Sequence, residues 1–392
     1  MVFDFSWVLL GLPLAFGLGW LASRFDVRQM RVENRQAPKA YFRGLNFLLN
    51  EQQDQAIDAF IEAVQNDPDT SELHFALGNL FRRRGEYERA VRVHEHLLSR
   101  GDLSSADRAR AQHALALDFL KAGLLDRAEA ALHKLEGTAF ESQARMALLV
   151  NYERSRDWVQ AAKVAQQLEN TDQGSFSPRL AHYLCEQAAA KVSAGELAQA
   201  ADLLRLAVSK APNAPRPRMD LCRVLGQAGD AMSAYQTLAQ ALTLAPAATP
   251  LFASQLAQVA IASNHTLDAL TALKDNYAQH ASLDLVEAIV SLEAALPATV
   301  DRPASTPTNA RDWYVHHLER EPSLVAAAKW IAGEKLEHEQ FHPQVQRALD
   351  HAVKPLIRYR CAACGFEAKQ HFWQCPGCQT WDSYPARRVE EL

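Results

Sequence analysis

Four cysteines are the residues best placed to do chemistry: Cys361, Cys364, Cys375 and Cys378. They form two Cys-x-x-Cys pairs separated by residues 365–374. Two thiolates on one tight turn can face a single ion, and two such turns complete a tetrahedral site of four thiolates. Gly365 and the Pro376-Gly377 pair are expected to permit those turns. Tyr359, Phe366, Phe372, Trp373 and Trp381 are expected to supply the small core that so short a segment otherwise lacks. The other two cysteines, Cys185 and Cys222, stand alone inside helical patterns. Isolated thiols beside two close pairs suit a reducing compartment and a metal better than a disulfide framework.

No other constellation of catalytic residues stands out. There is no GxSxG, P-loop, GxGxxG or HExxH pattern, and the acidic residues fall on ordinary solvated helix faces. His94 and His96 are two apart, and His316 and His317 adjacent, spacings that point side chains away from each other on a helix. All four read as packed or solvated. The chain is therefore not expected to be an enzyme. Its net charge of −5, with both signs interspersed over 392 residues, argues against a nucleic-acid partner. That length calls for more than one folded unit.

The elements that must carry these residues are helical repeats. Gly44 and Gly78, Ala56 and Ala90, Ala200 and Ala234, and Pro212 and Pro246 are each 34 residues apart. That period in helix-forming sequence marks the tetratricopeptide unit of two antiparallel helices. The clearest copy begins at Ser71, with Leu77-Gly78, Phe81, Gly85, Tyr87 and Ala90 at the motif positions. Small residues at Gly78 and Ala90 let two helices approach, and Gly85 can take the positive φ that ends one. With the small residue of each second helix as marker, units fall at Ala56, Ala90, Ala128, Ala161, Ala200, Ala234 and Ala269. Two longer steps predict stretched turns near residues 101–105 and 173–178, and the loop 171–178 is expected to be a flexible joint. Cys222 takes the small-residue slot and reads as packing, and His94 sits where a core aromatic is usual. In the Ser71 copy the inner face would carry Glu72, Phe75, Asn79, Arg82 and Arg83. Asn79, Arg82 and Arg83 could clamp a peptide backbone or an acidic tail; the alternative is a plain solvated face.

Residues 5–22 are uncharged and span roughly 27 Å as a helix, against a hydrocarbon core of roughly 30 Å. Arg24, Arg28, Arg31, Arg35, Lys39 and Arg43 follow, which predicts an uncleaved single-pass anchor with the rest of the chain cytoplasmic. The reading divides the chain into an anchor (1–23), a basic juxtamembrane segment (24–36), a repeat array (37–296), a linker (297–309), C-terminal helices (310–355) and a metal-binding ribbon (356–388). The fold class is all-α: a tetratricopeptide-repeat superhelix with an N-terminal transmembrane helix and a small four-cysteine metal ribbon.

The two knuckles resemble those of rubredoxins, with Tyr359 two residues before the first cysteine and a Cys-Pro-x-Cys second knuckle. The spacer is far shorter than in rubredoxins. That favours one structural Zn2+, with iron second, over electron transfer. The order of the whole resembles the lipopolysaccharide assembly protein B family of Gram-negative bacteria. It runs from the apolar span and basic segment through GLNFLLNEQQDQAIDAF and LGNLFRRRGEYERAV to YRC-x2-CGF and WQCPGC-x2-W. The resemblance covers the whole chain, most specifically residues 41–60, 77–91 and 358–381, and more loosely 240–310. It implies an inner-membrane adaptor. Such an adaptor promotes degradation of the committed-step lipid A deacetylase by a membrane-bound ATP-dependent metalloprotease, and an inner-membrane lipopolysaccharide-sensing protein restrains it. Two other classes stay open, a scaffold for lipopolysaccharide synthesis and transport enzymes without proteolysis, and an iron redox protein. So does a homo-oligomer.

Overall fold

The computed structural model describes residues 16–17, 20, 39–66, 70–169, 174–297, 307, 309–334 and 340–392. Most of the expected anchor, the basic segment, positions 171–173 of the expected joint and most of the linker lie outside them. Among the described residues no helix is long and apolar enough to cross a membrane.

Alanine and leucine at helical spacing, interrupted every dozen or so residues by turn formers, make the chain a succession of short helices. They fall into two compact units, residues 1–157 and 158–392. In the first, α1 (residues 39–49) is followed by α2 (Gln53–Asn66), α3 (Ser71–Arg83), α4 (Tyr87–Ser99), α5 (Ser105–Ala122), α6 (Leu125–His133) and α7 (Glu141–Ser155). The second begins with α8 (Trp158–Glu169), α9 (Ser177–Ser193), α10 (Leu197–Lys210), α11 (Pro215–Gln227) and α12 (Ala231–Leu244). A 3-10 turn (Pro246–Leu251) leads to α13 (Ala253–Ala262), α14 (Thr266–Gln279) and α15 (Leu283–Ala295). Then come α16 (Ala310–Arg320), α17 (Leu324–Gly333), α18 (His342–Val353) and a two-stranded ribbon, β1 (Tyr359–Arg360) and β2 (Glu367–Ala368).

The marker alanines explain the period. Ala56, Ala90, Ala128, Ala161, Ala200 and Ala234 are completely buried and Ala269 nearly so, each on a second helix. The small residue of the first helix has an equally plain cause. A Cβ added at Gly44 would meet the Phe60 ring at 2.9 Å, and one at Gly78 would meet the His94 ring at 2.5 Å. Phe60 and His94 each stand four residues after their marker, so one ring–glycine contact recurs with the repeat. His94, completely buried, is therefore a packed residue. Cys222 is completely buried too, as its slot predicts.

Turns inside the repeats are closed by residues in the left-handed region. Gly85 and Gly123 do this at φ 80° and 79°, but Arg156 and Asn264 do it at 59° and 61° with a side chain present. The expected stretched turns take a different form. Ser71 precedes its marker by 19 residues, whereas Ser105 and Ser177 precede theirs by 23. The extra residues thus form a further helical turn at the start of α5 and α9. In α5 this turn is supported by the Ser104 side chain, which accepts from Asp107 N, and in α9 by a proline in the first turn.

In the second unit the helices after α14 continue the packing without the repeat signature. Trp313 of α16 donates its Nε1–H to buried Glu293 of α15 at 2.9 Å. Tyr277 Oη of α14 lies 3.0 Å from His317 Nδ1, so His317 is packed.

Candidate metal centre

β1 and β2 pair antiparallel, Tyr359 with Ala368 and Arg360 with Glu367, and this short hairpin carries the first knuckle. Cys361 N donates to Phe366 O at 2.9 Å and Gly365 N to Cys361 O at 2.9 Å. The second knuckle repeats the pattern, with Cys375 N donating to Thr380 O and Gln379 N to Cys375 O. In each, the residue after the second cysteine is left-handed: Gly365 at φ 77° and Gln379 at 61°. The sequence assigned the second turn to Pro376-Gly377. Gly377 instead makes ordinary contact with Phe366 and Cys364 Sγ, a Cβ there lying 3.4–3.5 Å from them.

The four sulfurs all lie within 4.8 Å of one another. Cys361 and Cys378 Sγ are 3.8 Å apart, and Cys364 and Cys375 Sγ 3.7 Å. Four sulfurs at Zn–S distances of about 2.3 Å in a tetrahedron would stand roughly 3.8 Å apart, so the donor set fits one such ion. The surroundings of Cys361 and Cys378 favour the thiolate. The Ser383 hydroxyl, 3.2 Å from Cys361 Sγ, and the amides of Cys364 and Ala363 push the Cys361 thiol down to about 6. Thr380, through its hydroxyl and its amide, lowers Cys378. The remaining cysteines are poor nucleophiles: burial pushes Cys222 up to about 11 and raises Cys185 as well.

The ribbon's own core is smaller than its aromatic count suggested. Tyr359 and Tyr384 are buried with Cys361 and Cys375, and Phe372 and Leu251 pack at the edge. Phe366 is 44% exposed. Trp373 and Trp381 are turned toward the helices instead. Trp381 stacks on His182 of α9 with centroids 4.7 Å apart, and meets Trp158 and Tyr183 edge-on at 6.2 and 5.9 Å. Beside it, Asp382 accepts from His182 Nε2 at 2.9 Å to each oxygen. Arg216 of α11 reaches His182 Nδ1 at 3.2 Å and Glu186 at 2.5 Å. His182 and Arg216 are 34 residues apart, one repeat register, which is the signal in the sequence that could have found them.

A second attachment follows the ribbon. Arg388 forms a bidentate pair with Asp284 of α15 at 2.9 and 2.6 Å. Glu391 accepts from Leu283 N at 2.8 Å and Glu390 from Leu324 N and Val325 N at 2.6 and 3.1 Å. Two carboxylates thus sit on the open amides of the α15 and α17 N-termini, where helix partial charge is positive. Nothing in the sequence motifs pointed to this segment.

The expected clamp in α3 divides. Arg82 donates to Asp118 Oδ1 of α5 at 2.9 Å, to Ala114 O at 3.2 Å and to Asn79 Oδ1. Asp118 is also bound by His94 Nδ1, so Arg82 and Asn79 belong to a network tying α3, α4 and α5. Arg83 is exposed. Phe75 is buried against Leu97 and Ala111, and Glu72 pairs with Arg110.

A family profile described as "Rubredoxin metal binding domain" matches residues 359–384, and one described as "Tetratricopeptide repeat" matches residues 73–109. "Lipopolysaccharide assembly protein B" of Escherichia coli (strain K12) is 28% identical over 393 residues, covering 97% of this chain and 98% of that protein. The protein of the same name from Haemophilus influenzae is 26% identical, covering 95% and 96%. Among solved structures, a tetratricopeptide repeat protein from Parabacteroides merdae ATCC 43184 is 13% identical with a TM-score of 0.34, covering 66% of this chain and 99% of that one. The chain thus joins tetratricopeptide helices to a rubredoxin-type group of four cysteines, and along its length it resembles lipopolysaccharide assembly protein B.

Proposed function

We propose that this chain is a membrane-tethered adaptor that holds lipopolysaccharide synthesis in check by presenting the committed-step lipid A deacetylase to a membrane-bound ATP-dependent metalloprotease. The observation that carries this reading is the end-to-end similarity to lipopolysaccharide assembly protein B, repeats and metal-binding domain included. A scaffold needs rigid surfaces, and the two attachments of the ribbon supply rigidity in the second unit. Cys361, Cys364, Cys375 and Cys378 would hold one Zn2+, iron being the second choice. When bound, the ion fixes both knuckles without a redox step, and its binding free energy, about 10–16 kcal/mol in small zinc peptides, is largely folding free energy. The chain's own residues then place Trp381 and Asp382 against α9. Residues 5–22 would anchor it in the inner membrane with the bulk of the chain cytoplasmic, where tethering raises the effective concentration of its partners. An inner-membrane lipopolysaccharide-sensing protein would restrain it.

The test is the half-life of the deacetylase in cells depleted of this protein. The adaptor reading expects a clearly longer half-life, restored by the intact chain but not by one lacking residues 1–23. An unchanged half-life would overturn it in favour of a scaffold acting without proteolysis.

A further inference from the structure

The first unit carries a surface that its repeat core does not use. Counting back from the markers Ala90, Ala128 and Ala161, the positions seven residues earlier are Arg83, Lys121 and Arg154. All three are exposed and all are basic. Eleven residues before the last two markers stand Leu117, half-buried, and Val150, 39% exposed; Met146, fifteen before Ala161, is half-buried. Positions four and eight apart share one face of a helix. Each helix therefore presents a basic residue one turn beyond Asn79, Leu117 or Val150. That α3, α5 and α7 lie side by side is shown by Arg82 donating to Ala114 O and by Arg154 donating to Leu120 O. Arg83 and Lys121 form no ion pair among the described residues. In the second unit the corresponding positions, Ser193 and Gln227, are uncharged, so the basic row belongs to the first unit.

How this kind of helix face recognises a segment is visible in the chain itself. At His182 and Arg216, eighteen residues before Ala200 and Ala234, it takes an aromatic–acidic pair, Trp381 stacked on His182 and Asp382 accepting from it. The equivalent positions in α3 and α5, Glu72 and Arg110, neutralise each other. The charge left open there is the row of Arg83, Lys121 and Arg154.

We propose that this face of α3, α5 and α7 binds an extended segment of a partner protein in which acidic residues recur at every third position between apolar ones. This rests on the binding-scaffold reading above. The spacing follows from geometry. Packed helices stand about 8–10 Å apart, and a chain in the extended polyproline II conformation advances about 3.1 Å per residue with three residues per turn, so every third side chain returns to the same side and carries a carboxylate from one basic side chain to the next. The apolar residues between would lie on Leu117, Val150 and Met146. Charge complementarity selects the partner.

The probe is a fluorescein-labelled peptide of about ten residues with Glu at every third position and Leu between, titrated into the full chain in mild detergent. Binding is expected to weaken about tenfold or more in a variant combining Arg83→Glu and Lys121→Glu, with helical circular dichroism unchanged. The same peptide with Lys for Glu should bind that variant better than the unaltered chain. An independent reading needs no variant: binding to the unaltered chain should fall about tenfold between about 50 and 500 mM salt. Absence of binding by the Glu peptide, equal binding of Glu and Lys peptides, or salt-insensitive binding would each overturn the proposal. Deacetylase half-life is read separately, so the adaptor reading and this surface can fail independently.

Discussion

Removing the two carboxylates that cap α15 and α17, by combining Glu390→Ala with Glu391→Ala, should loosen the second unit without touching the metal site. Glu390 accepts three hydrogen bonds, from Leu324 N, Val325 N and Ser323 Oγ at 2.6, 3.1 and 2.8 Å. Glu391 accepts two, from Leu283 N and Ser282 Oγ at 2.8 and 3.4 Å. Loss of a cap costs about 0.5–2 kcal/mol. Both helices retain a serine cap, Ser323 accepting from Ala326 N and Ser282 from Asp284 N, so complete fraying is not expected. Glu391 contributes less than its geometry suggests, because burial and then the nearby Asp284 charge raise its pKa against hydrogen bonds that lower it. We expect about 1–2 kcal/mol from Glu390 and about 1 kcal/mol from Glu391, roughly 2–3 kcal/mol together. Because the chain has two units, a global melt would not assign the loss to these two helix starts. Hydrogen exchange at Leu283, Leu324 and Val325 would, and a loss of about 2 kcal/mol corresponds to roughly 30-fold faster opening. Metal content and exchange in α3 to α6 should not change. Unaltered protection of those three amides would refute the capping argument.

Gly78→Ala should destabilise the first unit by about 1–3 kcal/mol, because the new methyl meets the buried His94 ring. A second change of His94→Ala should remove much of that penalty, and additive losses in a double-mutant cycle would count against a direct clash. Cys364→Ser, or chelation, should unfold the ribbon and raise exchange in α9 and at the starts of α15 and α17. Confinement of the change to residues 359–384 would show that the contacts of Trp381, Glu390 and Glu391 do not couple ribbon to helices. His74, His113 and His317 are each lowered from 6.5, chiefly by burial. Their neutral forms contribute stability that is fully present above pH 6.5 and lost as pH falls through their lowered values, so melting should begin earlier at pH 5 than at pH 7.5. Glu391, raised from 4.5 chiefly by burial, works oppositely, so its protonation at low pH offsets part of the histidine loss. A melting profile flat from pH 7.5 to 5 would contradict the histidine assignment. Arg156→Gly should stabilise by up to about 1 kcal/mol, since the residue holds φ at 59° with a side chain present; a lower melting temperature would show that this side chain contributes more than the strain it carries.

The sequence by itself determined whatever depends on local pattern. The 34-residue period located every buried marker from Ala56 to Ala269, because close approach of two helices demands a small residue wherever the repeat recurs. The pairing of cysteines located the four sulfurs, because a knuckle is made by a handful of consecutive residues. What the sequence could not decide were choices among partners distant in the chain. Arg82 could face solvent or Asp118, 36 residues on, and the buried carboxylate settled it through a pair stronger than a solvated guanidinium offers. Trp373 and Trp381 could fill the ribbon or reach the helices. They turn outward because Tyr359, Tyr384 and Phe372 already fill the small space around the cysteines, while His182 and Tyr183 offer an aromatic surface on α9. Glu390 and Glu391 belong to no sequence motif, and only the fold brings them to two helix N-termini, where unpaired amides give a carboxylate what water would otherwise supply.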